Sequence, residues 1–473
     1  MKYRLLLASI FLAMTATLHA VDKPANTAFL SWALTPPMGW NSWDCFATTV
    51  TEAQTKFTAD YMAEHLASHG WQYVVVDIQW YRAGATDFGY KPGAELELDG
   101  YGRLQPAVNR FPSAEGGKGF KALADYAHSK GLKFGVHLMR GIPRLAVERN
   151  LPILGTKFHA ADIADKNRPC AWNPDMWGVD MTKPGAQEYY NSVFALLAEW
   201  GVDFVKVDDI ARPYHDNIPE IEAVRRAIDA TGRPIVLSLS PGETALTAAD
   251  HVKTHANMWR ISDDFWDSYA SFYDQFARLE KWNAVRTPGA WPDADMLPLG
   301  TLALGSRKTN FTPDEQIALM TLWSIAKSPL MFGGDMAKMD DFTLSLLTND
   351  AVLTVDQRST ANRPLFKRDG WIAWTAKDAD GKATYLALFN APEPTEKERA
   401  DAKEYGANVK IDASARPVPP KSLTVKLAEL GIKPGAKVVA TDLWTGKAVE
   451  VKGGAVTLAV NPHGARLLKI VSE

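Results

Sequence analysis

Several short apolar runs in this chain lead into carboxylates. Val74-Val75-Val76 is followed by Asp77, and Val205-Lys206-Val207 by Asp208 and Asp209. Trp259-Arg260-Ile261-Ser262 leads into Asp263 and Asp264, and Trp291-Pro292 opens into Asp293-Ala294-Asp295. One aspartate after an apolar run is an ordinary helix N-cap; a set falling at the same end of one barrel is not explained by capping. With Lys206 and Arg260 among them, such carboxylates support two chemistries. A pair can act on a glycosidic bond, one as nucleophile or base and the other as proton donor, or the group can hold a hard divalent cation such as Mg²⁺. Lys206 and Asp208 are two residues apart, so in a strand they project to one face. An ammonium there keeps the carboxylate ionised and repels a metal, which favours the first chemistry. His128, His215, His251 and His255 show no H-x-H or H-E-x-x-H spacing. Neither metal nor cofactor is expected.

The elements that must position these groups follow from the hydrophobic pattern. Between residues 34 and 350, short Val- and Ile-rich runs alternate with stretches of helical periodicity, the pattern of a parallel sheet covered by helices. Strands are predicted at 38–41, 73–77, 134–138, 204–208, 235–239, 258–261, 290–291 and 329–332, and helices at 52–69, 119–130, 184–200, 219–231, 268–285 and 313–326. Eight strands fit a closed (β/α)₈ TIM barrel, an α/β fold that carries its reactive groups where strands end and βα loops begin. From residue 360 to 473 the period changes to two, as in Trp371-Ile372-Ala373-Trp374 and Thr384-Tyr385-Leu386-Ala387-Leu388, which predicts a C-terminal antiparallel β-sandwich. Its charged insert, Pro392 to Tyr405, reads as a solvated loop.

The chain has 473 residues, 16 tryptophans and two cysteines, with a formal charge of −3. No basic field exists to hold nucleic acid or an anionic membrane, so neither is an expected partner. Lys2 and Arg4, an apolar run from Leu5 to Met14 and small residues up to Ala20 read as a signal peptide over residues 1–20. The run is shorter than the roughly 20 residues a membrane span needs. The mature chain is therefore expected in a periplasm or outside the cell. In that oxidising setting Cys45 and Cys170 either pair or remain buried thiols, and the sequence leaves both open. The tryptophan surplus suits a core, and at strand ends it also suits a sugar pocket; Trp43, Trp80, Trp259 and Trp291 stand at such positions.

A set of collinear motifs carries a family resemblance. Thr35-Pro36-Pro37-Met38-Gly39-Trp40-Asn41-Ser42-Trp43, Gly102-Arg103-Leu104-Gln105, Arg110-Phe111-Pro112, Lys206-Val207-Asp208, Trp259-Arg260 and Trp291-Pro292-Asp293-Ala294-Asp295-Met296-Leu297 resemble the α-galactosidase (melibiase) family, glycoside hydrolase family 27. The resemblance runs from about residue 34 to 340, and the stretch from Asp442 to Leu468 is similar to that family's sandwich domain. It implies a retaining exo-glycosidase. Asp208 matches the nucleophile and Asp264 the acid/base, with Asp263 the competitor for that role. Lys206 matches the sugar-binding lysine, Trp43 the ring of the pocket wall, and Asp77, Arg260, Asp295 and Met296 the sugar contacts.

Departures from the family pattern bear on substrate. Where the family has two adjacent aspartates gripping the 4-OH and 6-OH of galactose, this chain has Asp77-Ile78. An apolar side chain cannot accept the 6-OH, and burying that hydroxyl unpaired costs about 1–3 kcal/mol. His137 stands in place of a tyrosine, the loop carrying Ser240 lacks the run that meets the 2-substituent, and Ile210 replaces a disulfide cysteine. Residues 142–180 read as an insertion, with Cys170, Trp172 and Trp177 as a lid. The leading expectation is hydrolysis of terminal α-D-galactosyl residues. The alternative is a β-L-arabinopyranosidase of the same family, since that pentose has the same ring configuration and no C6. From another class, the alternative is a non-catalytic carbohydrate-binding protein.

Overall fold

The structure, a computed structural model, describes residues 27–403, 406, 409–411 and 419–472; the expected signal peptide lies outside them. Eight parallel strands form the central sheet: β1 (Met38–Asn41), β2 (Tyr73–Val76), β3 (Lys133–Met139), β4 (Phe204–Asp208), β5 (Val236–Leu239), β6 (Met258–Arg260), β7 (Trp291–Asp293) and β8 (Leu330–Phe332). They pair in the order β7-β6-β5-β4-β3-β2-β1-β8. A parallel bridge between Leu297, just beyond β7, and Phe332 of β8 closes the curl, with Leu297 N donating to Met331 O at 2.8 Å.

Strand periodicity sorts the side chains into two layers. Tyr73, Val75, Phe204, Val236, Met258, Trp291 and Met331 form one buried cluster that fills the lower barrel interior. Their neighbours Val74, Val76, Val205 and Trp259 belong to a second cluster shared with the helices. Continuing the period of two upward places Asp77, His137, Lys206, Asp208, Ser240, Arg260 and Asp293 on the inner face at the C-terminal end.

The main helices are α1 (Glu52–His65), α2 (Lys121–Ser129), α3 (Ala186–Glu199), α4 (Tyr214–Thr231), α5 (Tyr269–Trp282) and α6 (Pro313–Ala326). Capping boxes start α1 (Thr51 with Gln54) and α6 (Thr312 with Glu315), and the Ser268 hydroxyl caps α5. Helix α4 starts five residues before the predicted Pro219. The Asn217 amide donates to the carbonyls of Asp209 and Ile210, which fixes the extra turn, and Pro219 forgoes only one backbone bond.

The insertion after β3 folds as a small antiparallel unit, with Ile142–Pro143 and Ala164–Asp165 each paired to Met176–Val179. Gly141 has φ 93°, and a Cβ there would lie 1.9 Å from the carbonyl oxygen of Trp177, so no other residue fits. Arg140 ties the unit down: its Nη1 donates to Glu220 at 2.8 Å and its Nη2 to Asp209 at 2.7 Å and to the Arg168 carbonyl at 3.3 Å.

The C-terminal domain has a six-stranded antiparallel sheet, including Thr360–Arg368, Trp371–Lys377, Ala383–Asn390, Ala465–Ser472 and Val438–Asp442, faced by a three-stranded one. Trp374, Tyr385, Phe389 and Leu467 join the barrel's hydrophobic cluster, so one core runs through both domains. The insert expected as a solvated loop contains a helix, Glu396–Lys403, pinned to α5 by Arg399–Asp274 at 2.8 Å; Tyr405 lies outside the described residues. The structure answers the question of pairing that the sequence left open. Cys45 and Cys170 are both free and buried: Cys45 turns its thiol to the Ser42 carbonyl at 3.6 Å, while Cys170 accepts from Asn173 N and lies against Asp209.

Candidate active site

A cavity of about 440 Å³ opens at the C-terminal end of the barrel, within the size range of small-ligand sites. Its wall includes nine residues singled out from the sequence: Trp43, Asp77, Ile78, Lys206, Asp208, Arg260, Asp264, Asp295 and Met296. Asp263 also reaches it.

Two ion-pair groups organise the floor. In the first, Lys206 Nζ lies 3.0 Å from Asp77 Oδ2 and 3.7 Å from Asp208 Oδ2. The Asn41 amide donates to Asp77 Oδ2 at 2.7 Å, and His137 Nε2 meets Asp208 Oδ2 at 2.9 Å. Asp208 Oδ1 is buried and has no hydrogen-bond partner among the described residues. Burial alone would raise the Asp208 carboxyl, but the Lys206 ammonium and His137 more than offset it and hold the group below the ordinary carboxylate range. Burial likewise opposes the charge of Lys206, and Asp208 and Asp77 overcome it, so the ammonium is firmly protonated.

In the second group, Arg260 Nη2 lies 3.2 Å from Asp264 Oδ1 and 2.7 Å from Asp295 Oδ2. Asp295 accepts from Phe265 N at 2.6 Å and Met296 N at 2.7 Å, bonds that hold its backbone at φ 84°. Burial, with the charges of Asp264 and Asp293 working against Arg260, pushes Asp295 up to about 7. Asp263, also on the cavity wall, pairs with Arg212 at 2.7 Å on the rim.

Not every residue of the sequence reading reaches the cavity wall. Among the described residues His137 and Ser240 sit behind Asp208 and touch its carboxylate instead. Of the lid residues Trp172 lines the cavity, while Trp177 packs under the Arg144 guanidinium at 4.1 Å. Of the four tryptophans placed by strand ends, only Trp43 lines it. Trp80 and Trp259 face the helices, and Trp291 fills the barrel floor with its Nε1 donating to Ala33 O.

The sequence reading missed Asp44, Tyr90, Phe265 and Trp266. Asp44 was detectable, since it follows Trp43 at a strand end. Tyr90 comes from a long βα loop with no local signal, and its ring lies parallel to Trp43 at 6.3 Å and against Trp172 at 5.3 Å. The insertion supplies Asp175 too, which accepts from Gln79 Nε2 at 2.5 Å and so steadies the loop that carries Ile78.

The carboxylates Asp77 and Asp208, with His137, are close enough to share a cation. That place is taken by the Lys206 ammonium. The arrangement suits a buried, ionised nucleophile opposite a more exposed carboxyl, with rings to hold a sugar between them.

Comparison with known proteins agrees with this arrangement. Residues 35–149 and 154–358 match the family model described as "Alpha galactosidase A", and residues 368–470 match "Alpha galactosidase C-terminal beta sandwich domain". Alpha-galactosidase 2 of Arabidopsis thaliana is 26% identical over 92% of this chain and 89% of its own length. A solved family 27 β-L-arabinopyranosidase from Geobacillus stearothermophilus is 48% identical, with a TM-score of 0.86 over 94% of this chain and 98% of that one. A variant of that enzyme has been solved in complex with arabinose.

Proposed function

The chain belongs to glycoside hydrolase family 27, and from that premise we propose that it is a retaining exo-glycosidase that releases terminal β-L-arabinopyranosyl residues. The observation that carries the pentose reading is Ile78, a buried apolar residue that lines the cavity directly after Asp77, at the position where a second carboxylate would accept a 6-OH. The 48% identity to an arabinopyranosidase supports it. The alternative of the sequence reading thereby takes precedence over α-galactosidase.

The residues divide the work as follows. Asp208, kept ionised by Lys206 and His137, attacks the anomeric carbon while Asp264 protonates the leaving oxygen. A glycosyl ester on Asp208 results. Asp264, now ionised, takes a proton from water, and that water releases the sugar with its anomeric configuration retained. Such chemistry works with carboxyl groups about 5–5.5 Å apart. Asp77, oriented by Asn41 and Lys206, accepts from a ring hydroxyl, and Trp43 provides an apolar face for the ring. We also propose that residues 1–20 direct export to a periplasm or the exterior.

The test compares kcat/KM for nitrophenyl β-L-arabinopyranoside and nitrophenyl α-D-galactopyranoside. A clear preference for the pentoside is expected; a clear preference for the hexoside would sink the assignment of Ile78.

A further inference from the structure

Asp44 follows Trp43 at the end of β1 and lines the cavity, although the residue is only 3% exposed. Its Oδ2 is sealed against Gly333, where a Cβ would come within 2.0 Å of it, and makes no hydrogen bond. Among the described residues no lysine or arginine pairs with it. Lys206 is engaged by Asp77 and Asp208, Arg260 by Asp264 and Asp295, and Arg307 by Asp267. The charges that act most strongly on Asp44 are the carboxylates of Asp295, Asp267 and Asp264, which disfavour its ionisation, and Lys206, which favours it. Burial first, and then those carboxylates, favour the protonated form.

A bound pyranose needs such a group. Each sugar hydroxyl gives one proton and has lone pairs that accept. Acceptors stand here in Asp77 and Asp208, whereas the cationic donors Lys206 and Arg260 already serve carboxylates of the cavity. We propose that Asp44 is a substrate-binding residue that acts as a neutral carboxylic acid, donating its proton to an oxygen of the sugar ring or its hydroxyls. This deepens the glycosidase reading and rests on it. A carboxylic acid kept neutral in an apolar, acidic site so that it can donate has precedent in other enzymes.

The experiment measures binding of free L-arabinose by calorimetry to the wild-type protein, Asp44→Asn and Asp44→Leu, from mildly acid to alkaline pH. The amide keeps a donor of the same shape, so Asp44→Asn is expected to bind within about threefold of wild type, and Asp44→Leu at least about tenfold more weakly. Wild-type affinity is expected to fall as pH rises and Asp44 ionises, and this component is expected to be missing from Asp44→Asn. Circular dichroism checks that each variant folds, and the amide variant alone still decides the question through its pH dependence. The proposal is overturned if Asp44→Leu binds like wild type, if Asp44→Asn is as weak as Asp44→Leu, or if the wild-type pH dependence persists undiminished in Asp44→Asn. Those results leave wild-type hydrolysis and the glycosidase reading standing. A wild-type protein that neither binds nor hydrolyses such a sugar overturns both.

Discussion

Replacing Lys206 by methionine removes the cation between the two inner carboxylates while keeping a side chain of similar length. Lys206 Nζ lies 3.7 Å from Asp208 Oδ2. With the effective dielectric of about 20 that suits protein sites, this pair is worth about 4–5 kcal/mol, equivalent to roughly three pH units in where Asp208 titrates. In the native protein burial raises Asp208 and is overcome by Lys206 and then His137; without the ammonium, burial and the unscreened Asp77 charge are opposed by His137 and the Ser240 hydrogen bond. The sign follows from the mechanism. In the proposed mechanism Asp208 attacks only when ionised, so raising the pH at which it ionises removes activity from the acid side and returns part of it as pH rises. The assay is kcat/KM against pH between about 4 and 9 on an activated arabinopyranoside. The acid limb belonging to Asp208, below the ordinary carboxylate range in the native protein, is expected to move into the measured range in Lys206→Met. A pH-independent loss from weakened sugar contact will accompany it and does not bear on the argument. A uniform loss with the acid limb unmoved would refute the claim that Lys206 sets the charge of the nucleophile.

Ile78→Asp restores an acceptor for a 6-OH, and the pentoside-to-hexoside ratio of kcat/KM is expected to fall about 5- to 150-fold, the equivalent of 1–3 kcal/mol; parallel kinetics on the two nitrophenyl glycosides measure it. Asp264→Ala is expected to slow hydrolysis of glycosides with poor leaving groups by about 10²–10⁴, whereas Asp263→Ala, which breaks only a rim pair with Arg212, leaves the rate within a few-fold. Equal losses in the two variants would reverse the assignment of the proton donor. Arg140→Met takes the nearer cation from the buried Glu220, leaving it Arg168 at 3.7 Å, and removes the cation from Asp209; the change is expected to cost about 3 kcal/mol, read from urea unfolding curves.

The barrel was legible in the sequence because its signal is local. Met38–Asn41 and Phe204–Asp208 form the predicted strands residue for residue, and the other six barrel strands shift by one or two residues at an end. The sandwich strand Ala455–Val460 matches as well. Long-range contacts decided what was misread. The insert at Glu396–Lys403 is too charged to read as a packed helix, yet Arg399 finds Asp274 across the domain boundary. The strand Thr360–Arg368 carries little alternation and, among the described residues, lies at a sheet edge.

The candidate site divides the same way. The sequence by itself determined the inward set, Asp77, Lys206, Asp208 and Arg260, because strand periodicity and position at the C-terminal ends are properties of consecutive residues. Only the tertiary structure decided which groups touch. It sent His137 to Asp208, left Cys45 and Cys170 apart, turned Trp80, Trp259 and Trp291 into core, and brought Tyr90 and Trp172 to the cavity from separate loops. A strand fixes the face on which a side chain emerges, whereas loop path and burial fix its partner, and these depend on residues far away in the chain.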